Sequence, residues 1–337
     1  MLFSSKKSVL GVDIGSDNIK IAQVTTKDNA HILDTYGIVN FSFKADDQSE
    51  ESITATASVL KNLVEKSEAT TRKIVASLPS STVFTSVIEM PRMSDSELKN
   101  AVEYEAKKYV PLQMSDLTLS WVVSEKTPDD KSMVLITAVP NAVLRRYLKI
   151  FELAKLEPVA LEIEALALIR SIVGPDKGSN LLIDVGANSS HLNIIEHGNL
   201  VLARNVPIGG QTITSKIAEG LKISADRAEQ FKKDFGINQA GMIPETIKPV
   251  LQAMKTEAKQ LQSIYQARGK KFDRILLAGG GANLPGFADF FGDLGPKIVI
   301  GDPLFQLQYD PNLKPLLQQY AGSLAVAIGL ALRSSDK

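Results

Sequence analysis

The sequence has no cysteine and only three histidines among its 337 residues. The lack of cysteine excludes a disulfide framework and thiolate metal sites, and the histidines are scattered along the chain. Neither sign of charge is in excess, because Lys and Arg together number 38 and Asp and Glu also number 38. A chain of zero formal charge lacks the basic surface typical of nucleic acid binding, so we expect no nucleic acid partner.

Long hydrophobic runs are missing as well. The longest, residues 324–332, contains nine residues including a glycine, whereas about 20 are needed to cross a bilayer. Met1-Leu2-Phe3 is followed by Ser-Ser-Lys-Lys rather than by the apolar region of a signal peptide. We therefore expect a cytoplasmic protein that reaches a membrane only through partners. A chain of this length is also expected to form two lobes.

A repeated hairpin is present instead of the familiar phosphate-binding motifs of P-loop and Rossmann proteins. Asp-x-Gly ends an apolar strand at Asp13 and again at Asp184, and a second β-rich run follows each copy. The tip of such a hairpin brings backbone N–H groups close to an anion. Two facing tips could hold a polyphosphate from both sides, with the two carboxylates holding hydrated Mg²⁺. Either copy alone is also ordinary turn chemistry; the repetition favours a shared function.

A third glycine-rich element follows an apolar strand predicted over residues 274–278. The triplet Gly279-Gly280-Gly281 has no Cβ that would keep a flat ring or a ribose away from the main chain. We predict that Asn283 caps a helix whose first turn contains Pro285.

Between these motifs the pattern alternates strands and helices. Ser94 and Glu97 have the spacing of a capping box, and Asn141 is predicted to cap a later helix. Residues 80–158 thus form a β-α-β-β-α module, which could also be more of one large α/β domain. Residues 209–268 are predicted to be mostly helical, with Ser224 as a cap and a long amphipathic helix from Pro244.

Taken in order, these segments resemble the actin, Hsp70 and sugar-kinase superfamily. The resemblance implies an α/β, actin-like two-lobed ATPase fold, a duplicated ribonuclease H-like core with an inserted 1C-type module. Residues 13–20 correspond to its phosphate-1 segment, residues 184–191 to its phosphate-2 segment and residues 277–286 to its adenosine segment. Residues 162–168 correspond to its first connecting helix and residues 325–331 to its closing helix.

Within this superfamily the chain most resembles the PilM family of type IV pilus assembly, with FtsA next. The opening residues 4–16 and the run Val87-Ile88-Glu89-Met90-Pro91 carry this likeness. The implied first lobe has a core 1A over residues 1–79 and 159–178, interrupted by module 1C over residues 80–158. The implied second lobe has a core 2A over residues 179–208 and 272–301, interrupted by a helical 2B over residues 209–271. A closing segment over residues 302–337 returns to 1A.

The resemblance also implies a site for ATP and Mg²⁺. Asp13 and Asp184 would bind the metal largely through water, and Glu164 and His191 would orient an attacking water. Nucleotide contacts would come from Gly15, Ser16, Asp17, Asn18, Lys20, Gly186, Ala187, Asn188, Ser189, Gly209, Glu229, Lys232, Gly279, Gly280, Gly281 and Asn283. From the residues alone, Lys20 could also face solvent, Glu229 and Lys232 could form a surface ion pair, and His191 could simply be hydrogen-bonded.

The implied function is that of a cytoplasmic component of the inner-membrane platform for type IV pilus assembly and twitching motility. It would bind the N-terminal cytoplasmic tail of PilN, lie close to the assembly ATPases, and use nucleotide to set lobe closure, with at most slow ATPase activity. Self-association stays open. The alternatives are an FtsA-like filament-forming membrane scaffold, although the sequence stops without a terminal amphipathic helix, and a small-molecule kinase.

Overall fold

The computed structural model describes residues 7–110, 112–126, 131–237 and 245–333. Its strands are β1 Lys7–Ile14, β2 Asn18–Lys27, β3 Ala30–Asn40, β4 Lys73–Leu78, β5 Phe84–Pro91, β6 Leu117–Lys126, β7 Lys131–Pro140, β8 Glu157–Ile163, β9 Ser179–Val185, β10 Ser190–Glu196, β11 Asn199–Val206, β12 Arg274–Ala278, β13 Lys297–Ile300 and β14 Leu307–Gln308. Its α-helices are α1 Glu50–Lys66, α2 Asp95–Tyr109, α3 Asn141–Leu153, α4 Glu164–Leu168, α5 Gly210–Leu221, α6 Ala225–Phe235, α7 Lys248–Gln266, α8 Phe287–Phe290 and α9 Lys314–Leu332.

The first lobe is built on a six-stranded sheet of order β14-β3-β2-β1-β4-β8. β1, β2 and β3 pair antiparallel, whereas β4 and β8 add in parallel. Central strand β1 is apolar almost throughout because helices cover both of its faces, and Leu10 and Val12 are fully buried. α1 and α3 pack on one face and α9 on the other.

The second lobe repeats this plan in a five-stranded sheet of order β11-β10-β9-β12-β13. β9, β10 and β11 are antiparallel, and β12 and β13 add in parallel. Helices α5 and α7 cover this sheet with buried residues such as Ile213 and Leu261. The repetition of strand order places the two Asp-x-Gly turns at equivalent positions of the two lobes.

A third sheet, of order β5-β7-β6, is antiparallel throughout. α2 covers it through Leu98 and Val102, and the predicted capping box at Ser94 is confirmed. α3 packs instead on the first lobe, where Arg146 donates to the carbonyls of Lys44 and Ala45 at 2.8 and 2.7 Å. The residue boundaries of the implied domains stay a prediction.

Helix α9 and the turn before it, Pro311–Leu332, are long and apolar enough to cross a membrane on length and composition alone, which no other helix among the described residues is. Burial accounts for this composition, since 67% of an apolar 18-residue stretch of this segment is buried inside the protein. Glycines allow the close packing: a Cβ at Gly11 would lie 1.9 Å from the carbonyl oxygen of Ala327, and one at Gly329 would lie 1.9 Å from that of Ala167. The helix is thus a core element of the first lobe.

Three local predictions are wrong. Glu162 belongs to strand β8, and the helix begins only at Glu164, because the backbone of residues 157–163 pairs with β4. Asn141 is the first residue of α3 rather than its cap, and its amide donates to the Ser115 carbonyl. Asn283 ends a short 3-10 turn and α8 starts after Gly286, which has a φ of 80°. The predicted helix end at Pro111, the predicted polar turn at residues 127–130 and the predicted helix start at Pro244 lie outside the described residues.

Candidate functional site

A cavity of about 1090 Å³ opens between the two lobes. It brings together most of the residues that the sequence singled out, from segments far apart in the chain. The predicted residues that line it are Asp13, Gly15, Ser16, Asp17, Asn18, Lys20, Glu164, Asp184, Gly186, Ala187, Asn188, Ser189, His191, Glu229, Lys232, Gly279, Gly280 and Gly281.

The two hairpins that enter this cavity have the same backbone. In the first, the Gly15 amide donates to the Asn18 carbonyl at 3.0 Å; in the second, the Gly186 amide donates to the Ser189 carbonyl at 3.0 Å. The strand registers also match, because Asp13 pairs with Lys20 and Asp184 pairs with His191. Each lobe therefore presents a tight turn, an aspartate before it and a basic side chain across the ladder.

Asp13 is held on both carboxylate oxygens. Lys20 Nζ donates to Oδ2 at 2.9 Å, and Ser77 Oγ at the end of β4 donates to Oδ1 at 2.9 Å. Burial alone would lower the pKa of Lys20, but Asp13, Glu164 and Asp184 together raise it above its ordinary value. Lys20, with 14% of its side chain exposed, is therefore a largely buried, charged group at the cavity wall and not a solvent-facing strand lysine.

Glu164 is the first residue of α4 and lies at the floor of the cavity. Ser80 Oγ donates to its Oε2 at 2.8 Å, and His191 Nδ1 of the second lobe lies 3.5 Å from the same oxygen. Burial raises the pKa of Glu164 to about 7, with His191 opposing the shift and Asp13 and Asp184 adding to it. A carboxyl group with such a pKa can both accept and donate a proton near neutral pH.

Asp184 has a different environment from Asp13. Burial raises its pKa, which His191 and Lys20 lower and Asp13 raises further; the nearest His191 nitrogen is 4.0 Å away. The oxygens of Asp13 and Asp184 suit a hard cation such as Mg²⁺ that keeps most of its water. No group of three or more His, Cys, Asp or Glu side chains that could hold a metal ion occurs in the described part of the chain.

The tip of the second hairpin rests on the start of α5. The amides of Gly210 and Gln211 donate to the carbonyls of Gly186 and Ala187 at 2.9 and 2.8 Å. Gly209 does not line the cavity. A Cβ there would lie 2.3 Å from the Ala187 carbonyl oxygen, so this glycine permits the close contact between turn and helix.

Glu229 and Lys232 form a 2.6 Å ion pair, but Lys232 is buried rather than at the surface. Its Nζ also donates to Thr214 Oγ1 at 2.8 Å and to the Gly210 carbonyl at 3.0 Å. Burial opposes ionisation of Glu229, yet hydrogen bonds from Lys232 and Thr214 hold its pKa below the ordinary value. α5 and α6 are thus joined beneath one wall of the cavity.

The glycine triplet packs against the second hairpin. Gly279 has a φ of 81°, and a Cβ there would lie 2.5 Å from Asp184 Oδ1; one at Gly281 would lie 2.3 Å from Val185 Cγ1. A Cβ at Gly280 would lie 3.5 Å from Ser323 Oγ of α9. Asn283 does not line the cavity; a Cβ at Gly322 of α9 would lie 3.0 Å from its amide nitrogen.

Sequence reasoning missed several lining residues. β3 contributes Tyr36, Ile38 and Asn40, and α9 contributes Leu316, Gln319, Tyr320 and Ser323. The period of two on β3 and the helical spacing on α9 define these faces. Neither pattern could show that the face borders a cavity rather than the core.

The fold is that of the actin-like two-lobed proteins, as predicted. Over 98% of this chain and 96% of the other, it is similar to MreB5 of Spiroplasma citri bound to AMPPNP, with a TM-score of 0.53 and 14% identity. It is also similar to the ethanolamine utilization protein EutJ of Carboxydothermus hydrogenoformans, over 97% of this chain and 89% of the other, with a TM-score of 0.58 and 18% identity.

A match over nearly the whole chain shows the particular family. The family of the type IV pilus assembly protein PilM matches residues 11–335, and the chain belongs to this family. A solved PilM-PilN type IV pilus biogenesis complex is similar over 98% of this chain and 99% of the other, with a TM-score of 0.84 and 24% identity. The cell division protein FtsA of Bacillus subtilis (strain 168) is 33% identical over 99 residues, which span 28% of this chain and 22% of FtsA.

Proposed function

We propose that this type IV pilus assembly protein binds ATP with Mg²⁺ between its two Asp-x-Gly hairpins. The observation that carries the proposal is that both hairpin tips and the glycine triplet line one cavity. Backbone amides of the two turns, with Ser16 and Asn188 beside them, would hold the phosphates from opposite sides. Gly280, which lines the cavity, would lie next to the nucleoside.

The side chains present fit this ligand. Asp13 and Asp184 are buried carboxylates on facing hairpins, and bound Mg²⁺ would supply the positive charge that offsets their repulsion. Lys20 would add a point charge beside the phosphates, and the Glu229–Lys232 pair would border the ribose. Glu164, within reach of His191, would orient a water; such positioning is the main protein contribution to phosphoryl transfer.

We further propose that the chain binds the N-terminal cytoplasmic tail of PilN and is thereby held at the inner membrane, close to the pilus assembly ATPases. The family membership and the similarity to the PilM-PilN complex support this partner. Nucleotide would set lobe closure, and closure would change partner affinity through linkage. Hydrolysis would be slow at most, because the nucleotide then acts as a clamp rather than as fuel.

Asp13→Ala tests both proposals. Calorimetry should detect ATP binding to the wild-type chain and none to the variant, and binding of a PilN-tail peptide in the presence of ATP should weaken. Glu51→Ala, an exposed change on α1, is the matched control and should bind both ligands as the wild type does. Unchanged ATP affinity in Asp13→Ala would remove Asp13 from the site.

Self-association is tested in the same preparation. Sedimentation of the wild-type chain with and without ATP distinguishes a monomeric platform component from an FtsA-like filament. Nucleotide-dependent pelleting would support the filament, and an unchanged supernatant would contradict it.

A further inference from the structure

One hydrogen bond at the rim of the cleft joins the two hairpins through a residue that the sequence did not single out. Gln211 Nε2 in α5 donates to Asp17 Oδ2 at the tip of the first hairpin, at 2.6 Å. The backbone amide of the same Gln211 donates to Ala187 in the second hairpin. Gln211 therefore contacts both turns at once, one through its main chain and the other through its side chain.

The backbone of the first turn is fixed from its own lobe. The Phe41 amide donates to the Asp17 carbonyl at 3.0 Å, and the Phe43 amide donates to the Ser16 carbonyl at 2.8 Å. The Asp17 side chain is consequently the part of this tip that reaches across the cleft. A hydrogen bond from an amide to an ionised carboxylate is charge-assisted and directional.

The position of this carboxylate also matters for the ligand. Asp17 lies in the turn proposed to face the phosphates, where a free carboxylate would repel a polyphosphate. Pairing with Gln211 engages that carboxylate at the opposite lobe. A second side-chain contact between the lobes, His191 with Glu164, lies among the groups proposed to orient an attacking water.

We propose that Gln211 is a positioning residue that clasps Asp17 and so favours the closed arrangement of the two lobes. Its effect on nucleotide affinity rests on the proposed function above, whereas its effect on lobe separation does not. Gln211 is exposed and Asp17 is half-buried, so water competes for this hydrogen bond and keeps it weak. Such a bond raises the fraction of molecules with closed lobes but still allows the lobes to open.

Reversal of the donor and acceptor tests the clasp. Gln211→Glu sets two carboxylates against each other and should open the cleft, with ATP affinity about tenfold weaker, within the usual range of coupling between sites. Adding Asp17→Asn to Gln211→Glu restores one amide facing one carboxylate, with the same total charge as the wild type, and should restore the lobe separation. Gln252→Glu, an exposed change on α7, controls for added charge in the second lobe and should leave lobe separation and ATP affinity unaltered.

Lobe separation is measured directly by pulsed electron spin resonance. Because the chain has no cysteine, Ser42→Cys and Ala225→Cys, both at exposed positions in opposite lobes, give one unique pair of spin labels. The distance distribution without nucleotide should lengthen in Gln211→Glu and return in the double variant.

An unchanged distribution in Gln211→Glu, or a double variant as open as the single one, would overturn the clasp. If the wild-type chain binds no ATP but the distances shift as expected, the clasp stands and the proposed nucleotide site fails. The two failures are therefore distinguishable.

Discussion

The two Asp-x-Gly hairpins have one backbone design and two different electrostatic settings. Both close with the same 3.0 Å turn bond, and both pair their aspartate with the residue seven positions later. In the first hairpin that residue is Lys20, which forms an ion pair with Asp13. In the second it is His191, which lies between Asp184 and Glu164. The shared backbone gives both lobes the same turn facing the proposed phosphate site. The side chain paired with the aspartate differs and gives each lobe its own role.

The largest expected difference between the hairpins concerns stability. Asp13→Ala should lower the free energy of unfolding by about 3 kcal/mol, because it leaves the largely buried charge of Lys20 without its ion-pair partner. Asp184→Ala leaves no ion-paired lysine behind and should cost less than about 1 kcal/mol, since burial already disfavours this charge. Urea unfolding at pH 7 measures both. Equal losses would contradict the asymmetry.

Nucleotide affinity and turnover should separate next. Lys20→Gln should weaken ATP binding by roughly thirtyfold, because it removes a charge-assisted contact and leaves Asp13 facing the phosphates. His191→Gln should leave affinity within about threefold and lower turnover instead, since His191 lies 3.5 Å from Glu164, the group proposed to orient the attacking water. Calorimetry and a single-turnover assay measure the two effects. A loss of affinity in His191→Gln as large as in Lys20→Gln would show that the hairpins act alike.

The bases of the hairpins should respond differently to acid. Glu196 closes the second hairpin through Tyr265 and, at 2.8 Å, Lys270. Burial opposes its charge, but hydrogen bonds from Lys270 and Tyr265 and the nearby His197 hold its pKa below the ordinary 4.5. A lowered carboxyl pKa contributes stability that is present above pH 4.5 and lost as pH falls further.

At the base of the first hairpin, Gln23 donates to Ser8 Oγ at 3.0 Å, to Thr70 Oγ1 at 2.7 Å and to Asp34 Oδ2 at 3.1 Å, so two of these three bonds involve no ionisable group. Hydrogen exchange between pH 5 and 3 should therefore show β9 and β10 losing protection before β1 and β2. Glu196→Gln should reduce this pH dependence. Simultaneous loss in both hairpins would argue against a role for Glu196.

The smallest expected effect concerns the turns themselves. A Cβ at Gly186 would lie 3.0 Å from the rigid Ser189 carbonyl, whereas one at Gly15 would lie 3.2 Å from both the Asn18 carbonyl oxygen and the mobile end of Lys20. Gly186→Ala should lower the melting temperature by a few degrees, corresponding to about 1 kcal/mol, and Gly15→Ala by less. Calorimetric melting curves compare the two. A larger loss in Gly15→Ala would contradict the comparison.

The sequence predicted what is local or periodic. Asp-x-Gly turns, the capping box at Ser94 and the strand before Gly279 depend on neighbouring residues, and the repetition of the hairpin revealed the duplicated lobes. The resemblance then gave the fold and the family.

What it missed depends on distant contacts. Glu162 was predicted on a helix because residues 162–168 resemble the first connecting segment of the superfamily, but its strand pairs with β4 instead. Asn283 and Pro285 resemble a helix start, yet packing of the triplet on β9 delays α8 to Phe287. The bond between Gln211 and Asp17 joins residues 194 positions apart, and no local pattern indicates it.

A crystal structure with Mg²⁺ and a non-hydrolysable ATP analogue tests the paired grip most directly. We expect the triphosphate between the turns at Gly15–Asn18 and Gly186–Ser189, the metal near Asp13 and Asp184, and the nucleoside against Gly280. A nucleotide bound through one turn alone, or outside this cavity, would contradict the account.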